Sequence, residues 1–329
     1  MQIIFIHTAK YKCIRFFGTK TDEKFIENKN KNKIKYKRDC SSIDNDNGNL
    51  ESFSLFLLSL RQYYDQKGEI NCPLPDKPFL EWFIGFAEGD GCFFINNRKE
   101  LSFICVQGIA NLSVLQKIKE KLNMGIILKQ GKRVYRFIIQ RKDEIRLIIQ
   151  LFNGNVVLAS RKIQFQKFCN CFQEKAKHEE KSYEYIKKRN MILKNSLWLL
   201  GFVEAEGCFS ISFLSSSNNF RVRFLLSQKG DENLPVLSSL IPFFGVGQIE
   251  RHSAKNNYSY IVSGLKNIEK IYPYFDNNLQ YFLGTKKESY LNFKKLVEKI
   301  KQKQHLEKEK RPYLIQLAKQ INSASRKCK

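Results

Sequence analysis

The sequence predicts an α+β protein made of two copies of an α-β-β-α-β-β-α unit related by a pseudo-twofold axis, each with one antiparallel sheet. Three observations carry this. An eleven-residue block recurs, the segments behind it recur in the same order, and both blocks hold small residues at a spacing that lets helices pack closely.

The block Phe83-Ile84-Gly85-Phe86-Ala87-Glu88-Gly89-Asp90-Gly91-Cys92-Phe93 returns 116 residues later as Leu199-Leu200-Gly201-Phe202-Val203-Glu204-Ala205-Glu206-Gly207-Cys208-Phe209, with six positions identical. Behind each block lie two alternating segments around a polar turn (92–96 and 103–107; 208–213 and 220–228). A helical pattern follows (112–122; 234–240), then two more strand-like runs (126–129 and 133–140; 247–251 and 258–263) and a closing helix (161–172; 286–300).

The expected division is an N-terminal extension over 1–75, a first repeat over 76–175, a Lys- and Glu-rich connector over 176–192, and a second repeat with C-terminal helices over 193–325. Within the extension, 27–49 is mostly Lys, Asn and Asp and reads as partly disordered, 53–64 suits a short helix, and Pro73, Pro75 and Pro78 mark the entry to the first repeat. The first 21 residues hold no acid and carry Lys10, Lys12, Arg15 and Lys20, as an import signal would, but lack a clear amphipathic stripe.

Each block reads as a helix, over 78–91 and 197–207. Pro78 is tolerated at the start, Phe79, Phe83 and Phe86 form an apolar face, and Gly91 suits a left-handed terminal residue. Glycine inside a helix costs roughly 1 kcal/mol against alanine, so the pairs Gly85/Gly89 and Gly201/Ala205 need a reason; packing of one block helix on the other supplies it. That packing brings Asp90 and Glu206 together at the C-terminal helix ends. A carboxylate there opposes the helix dipole by roughly 0.3–1 kcal/mol and a second carboxylate repels it, unless a cation is present. Two oxygen donors beside Mg2+ and a phosphodiester form a chemically sensible hydrolytic site. Taken singly, each block also reads as an amphipathic helix with Glu88 or Glu204 exposed and its last acid near a cap.

Composition narrows the partner. The chain has 329 residues, 57 Lys and Arg against 32 Asp and Glu, a net charge of +25, and 43% hydrophobic residues, which describes a folded protein seeking an acidic polymer. No apolar run reaches the roughly 18 residues of a membrane span. The nine cysteines form no CxxC pair, so neither a disulfide framework nor a zinc ribbon is indicated, and a reducing compartment is expected. His7, His178, His252 and His305 are scattered, and His305 is expected on a solvated helix face. Abundant Lys, Asn, Ile and Phe suit an AT-rich organellar gene, mitochondrial rather than chloroplast.

FIGFAEGDG and LLGFVEAEG resemble the LAGLIDADG motif of homing endonucleases and intron maturases in its two-motif, single-chain form, over about residues 76–325. The resemblance implies saddle-shaped sheets lying in the DNA major groove, motif helices at the central interface, and a monomeric, intron-encoded, Mg2+-dependent endonuclease that makes a staggered double-strand break. It implies metal binding by Asp90 and Glu206, with Glu88 and Glu204 at an earlier acidic position that is not the direct ligand. By position, Gln107 and Gln228 end the second strands, and Arg161 (or Lys162) and Lys286 (or Lys287) begin the last helices near the scissile phosphates. A basic residue there either stabilises charge on phosphate or merely caps a helix or touches DNA backbone. For base contacts, Arg221 and Arg223 alternate with Phe220, Val222 and Phe224 and so share a face with Ser210 and Ser212, for which Asn96 and Arg98 are the first-half counterparts. Lys129, Lys132, Arg133, Arg136, Gln248, Arg251 and Lys255 extend that surface.

The rival reading is a maturase that binds its own intron RNA. A nonspecific basic DNA-binding protein leaves the paired acids unexplained. Nucleic-acid binding by so many cations implies affinity that falls steeply with salt.

Overall fold

The computed structural model describes residues 47–176, 186, 192, 196–214, 217–252 and 256–322. The import-signal stretch, the polar run from 27 to 46, nearly all of the connector, Lys255, His7 and His178 lie outside the described residues.

A helix, α1 (Asn47–Gln66), precedes the first repeat, where the sequence suggested a shorter one. Phe53, Phe56, Leu60, Tyr63 and Tyr64 on it are buried, and two of them are fixed by hydrogen bonds: Tyr63 Oη donates to Glu144 Oε1 (2.7 Å) and Tyr64 Oη to the Leu122 carbonyl (2.8 Å). Burying side chains of this size is worth roughly 1.5–3 kcal/mol each.

The first half then runs α2 (Lys77–Asp90), β1 (Gly91–Ile95), β2 (Leu101–Gly108), α3 (Leu112–Leu122), β3 (Ile126–Gln130), β4 (Val134–Ile139), α4 (Lys142–Phe152) and α5 (Ala159–Lys175). The second runs α6 (Trp198–Glu206), β5 (Gly207–Phe213), β6 (Phe220–Lys229), α7 (Leu234–Phe244), β7 (Gln248–Arg251), β8 (Asn257–Ser263), α8 (Leu265–Glu269), α9 (Tyr272–Asn277) and α10 (Lys286–Lys301), with α11 (Arg311–Gln320) beyond it. The sheets have the same antiparallel order, β1-β2-β4-β3 and β5-β6-β8-β7. Each half thus carries helical structure between its last strand and closing helix that the repeat pattern did not predict. α4 forms because Asp143 and Glu144 sit in its first turn and Ile145, Ile148, Ile149 and Phe152 supply a buried face.

Equivalent phenylalanines anchor the two cores. Phe93 lies within 5.5 Å of the Phe103, Phe152, Phe165 and Phe168 ring centroids, and Phe209 within 5.4 Å of Phe224, Phe275, Tyr290 and Phe293. His305 departs from expectation: it is buried, edge-on to Phe220 at 4.8 Å, and burial lowers its pKa. Among the described residues no helix is long and apolar enough to cross a membrane.

Candidate active site

α2 and α6 pack directly on one another, and their small residues are the reason they can. A Cβ on Gly85 would land on the carbonyl oxygen of Trp198, and one on Gly201 on that of Trp82; a Cβ on Gly89 would run into Ala205 and lie 3.1 Å from Glu206 Cγ. The helix ends, Asp90 and Glu206, are therefore neighbours. Both helices pass straight into a strand. Gly91 and Gly207 are extended (φ −86° and −69°) rather than left-handed as the sequence suggested; glycine is needed because a Cβ would sit 2.5 Å from the Ala87 carbonyl oxygen or 2.6 Å from that of Val203.

The earlier acids of the motifs clamp the halves together. Glu88 (1% exposed) accepts from the backbone N–H of Val157 (2.9 Å) and Leu158 (2.6 Å) in its own half and from Trp198 Nε1 (2.7 Å) in the other. Glu204 (6% exposed) accepts from the N–H of Leu283 (3.0 Å) and Gly284 and from Trp82 Nε1 (3.1 Å). Neither is exposed, as an isolated amphipathic helix would have them. A second crossed pair lies alongside: Thr285 N–H donates to Asn111 Oδ1 (3.0 Å), and Ser160 N–H to Asn233 Oδ1 (3.2 Å). The acids, tryptophans and asparagines thus fix the start of each closing helix against the helix ends.

The basic residues at those starts reach the helix ends. Arg161 donates through Nε to the Glu88 carbonyl (2.7 Å) and through a terminal nitrogen to the Gly89 carbonyl (2.9 Å), and Lys286 Nζ donates to the Gly207 carbonyl (2.6 Å). Positive charge there offsets the helix dipole, and both cations also pull the Asp90 carboxyl down in pKa. Of the alternatives posed by the sequence, these contacts are the capping one, and they place both cations beside the acids.

Gln107 and Gln228 occupy equivalent register positions, two residues beyond the partners of Gly91 and Gly207. Gln107 Nε2 donates to Asp90 Oδ2 (2.7 Å) and its Oε1 accepts from Asn111 (3.2 Å). Gln228 is equally buried, yet among the described residues its Nε2 has no hydrogen-bond partner. Asn233 differs correspondingly, donating to Ser160 Oγ (2.9 Å) and the Lys229 carbonyl (2.9 Å).

Burial pushes Asp90 up to about 7, reinforced by Glu206 and opposed by Gln107, Lys286 and Arg161. Burial likewise pushes Glu88 up to about 7 against its N–H donors and Arg161, and raises Glu204. Two adjacent carboxylates that repel one another suit a divalent cation. Among the described residues no three His, Cys, Asp or Glu side chains converge, so a cation held by Asp90 and Glu206 would complete its shell with phosphate and water oxygens, which is how Mg2+ is usually bound. The unpartnered amide of Gln228 fits a site completed by such polar groups.

The sheets carry the residues expected to contact DNA. Ser210 pairs with Arg223 and Ser212 with Arg221, so these four share the outward face of the second sheet as expected. Desolvation and the neighbouring Arg221 both lower the Arg223 pKa, with Glu250 opposing. Arg136 lies on the outward face of the first sheet, paired with Val106 and Leu128. Three expectations need correction. β1 stops at Ile95, and Asn96 and Arg98 lie in the turn beyond, where Asn96 Oδ1 accepts from the N–H of Arg98 (2.9 Å) and Glu100 (2.8 Å); Phe94, not Asn96, takes the place of Ser210. Arg251 pairs with Tyr258, which pairs with the core-facing Gln228, so it belongs to the other face and lies over the Tyr258 ring at 5.9 Å.

The LAGLIDADG endonuclease family profile matches residues 83–172 and 199–297. The chain is 31% identical over 258 residues to "Probable intron-encoded endonuclease 4" of Neurospora crassa, covering 76% of this chain and 46% of that protein. It is 27% identical over 180 residues to "Intron-encoded RNA maturase bI4" of Saccharomyces cerevisiae, covering 55% and 26%. The chain thus spans less than half of either relative. Its fold is similar to that of the LAGLIDADG meganuclease I-AabMI, solved bound to uncleaved DNA, at TM-score 0.62 and 23% identity over 73% of this chain and 98% of that one.

Proposed function

The chain belongs to the LAGLIDADG endonuclease family, and from that premise we propose that it is a site-specific homing endonuclease making a staggered double-strand break in DNA by Mg2+-dependent phosphodiester hydrolysis. The observation that carries the reading is the juxtaposition of Asp90 and Glu206 at helix ends held by a duplicated, crossed clamp. Nothing in folding rewards two carboxylates there, while phosphodiester hydrolysis does.

Asp90 and Glu206 would hold the metal, and Mg2+, when bound, supplies activation of water and neutralisation of charge on the leaving oxygen. Gln107 orients Asp90 through its Oδ2. Arg161 and Lys286, one per half, hold the helix ends and add positive charge where phosphate charge develops. The twofold relation of the halves gives each strand its own acid and cation, and so two cuts by a monomer. The sheets bind the major groove on either side, with Arg221, Arg223, Ser210, Ser212 and Arg136 facing the bases. The AT-rich composition supports a mitochondrial gene.

Asp90→Asn with Glu206→Gln should abolish cleavage in Mg2+ while leaving target binding in Ca2+ within about threefold of the parent protein. A double variant that still cuts would contradict the site. Similarity to an intron-encoded RNA maturase favours intron RNA as a second partner; a splicing assay in which this uncut-DNA variant still assists its intron would support that role.

A further inference from the structure

The outward faces of the two sheets are chemically unlike although the sheets are built alike. On the second sheet the outward register sets Ser210 against Arg223, Ser212 against Arg221 and Ser227 against Ser259. On the first, the row Cys92, Ile104 and Ile138 is matched by Cys208, Leu225 and Ile261 on the second, but Ile126 stands where the second sheet has Gln248, Phe94 where it has Ser210, and Val106, Arg136 and Leu128 where it has Ser227, Ser259 and Glu250. Phe94, Ile126 and Leu128 are 37%, 49% and 48% exposed. The first sheet therefore exposes Phe94, Ile126 and Leu128 beside one arginine, where its twin carries Ser210, Gln248 and Glu250 beside two arginines.

Exposed apolar side chains gathered on one sheet face suit a binding surface. Its position identifies the occupant. Each sheet begins at the residue after a candidate metal-binding acid, Gly91 or Gly207, so both faces flank the same helix ends. Arg98, Lys129, Lys132 and Arg133, all exposed, lie in the turns and edge strand around the first face, which supplies charge complementarity to phosphate. In the major groove thymine offers a methyl group, suited to apolar side chains, and guanine offers two acceptors suited to arginine.

Resting on the nuclease reading above, we propose that the two sheets read different base chemistry: the first takes a half-site recognised through thymine methyl groups, the second a half-site recognised through guanine. The target is then asymmetric in composition as well as in sequence.

The test uses the full chain, random DNA duplexes and Ca2+. Bound duplexes are enriched and sequenced, and the half-site whose guanine preference relaxes with Arg221→Ala or Arg223→Ala is assigned to the second sheet. Thymines in the other half-site are then replaced by uracil, which lacks only the methyl group. Each replacement at a contacted position should weaken binding roughly threefold to fourfold, the equivalent of one buried methyl, while replacements in the guanine half-site change it less than twofold. Phe94→Ser with Leu128→Ser should erase the uracil penalty and leave the guanine preference intact. Uracil tolerated in both half-sites, or guanine selected equally in both, would overturn the proposal while leaving the nuclease reading in place. Enrichment of no duplex would overturn both.

Discussion

The central interface and the two sheet faces are both duplicated, yet the clamp at the interface has kept its symmetry where the faces have not. Glu88 and Glu204, Trp82 and Trp198, and Asn111 and Asn233 make matching bonds across the pseudo-twofold axis, whereas Phe94 stands where Ser210 stands and Leu128 and Val106 flank the one arginine of the first face. The difference separates two jobs. On the nuclease reading the interface would position chemistry on a duplex backbone, which looks alike on both strands, and so has reason to remain symmetric. On the same reading the faces would meet bases, which differ between half-sites, and are free to diverge.

The largest expected effect breaks the symmetric part. Gly201→Val puts a branched side chain onto the Trp82 carbonyl, where backbone rather than a flexible tip must yield. It should cost about 3 kcal/mol or more and lose cooperative unfolding of the chain; a stable variant by urea titration would mean that the helices are not in backbone contact. Intermediate effects sharpen the comparison. Trp82→Phe and Trp198→Phe each remove one N–H from a buried carboxylate and should each cost about 1–3 kcal/mol, with the two values agreeing within about 0.5 kcal/mol. Unequal costs would show that one clamp matters more than its twin.

The last effect is one of pH. Asp90 and Glu88 are held above their unfolded values of 3.8 and 4.5, at about 7. The folded protein thus binds these protons more tightly than the unfolded chain, so their contribution to stability is greatest below about pH 4 and is lost as pH rises through about 7. Metal-free melting temperatures should fall between pH 5 and 8, less so in Asp90→Asn, and added Mg2+ should raise them more at pH 8 than at pH 5. A flat profile shared by both proteins would remove the electrostatic argument for a cation.

Much of this was legible in the sequence because repetition doubles weak signals. The Gly85/Gly89 and Gly201/Ala205 spacing implied the helix contact, and the acids, glutamines and basic residues fell into place from their order. The clamp was missed although it left a trace: the only two tryptophans, Trp82 and Trp198, are 116 residues apart, the same offset as the acids. What single-residue patterns do not carry is a partner in the other half. Nothing about Glu88 itself says that its carboxylate faces Trp198, because that bond exists only once the halves dock. Asn96 and Arg251 went astray for a related reason: counting positions along a strand assumes where it ends, and β1 ends one residue before Asn96, while the face of Arg251 is set by pairing with Tyr258.

The central claim is that Asp90 and Glu206 form a working nuclease site. The most direct test incubates the purified protein with the DNA that flanks its own reading frame, rejoined without the insertion, in Mg2+, in Ca2+ and with a chelator. Staggered double-strand cleavage at the junction in Mg2+ alone is the predicted result. An intact duplex in Mg2+, bound tightly by a folded protein, would contradict it.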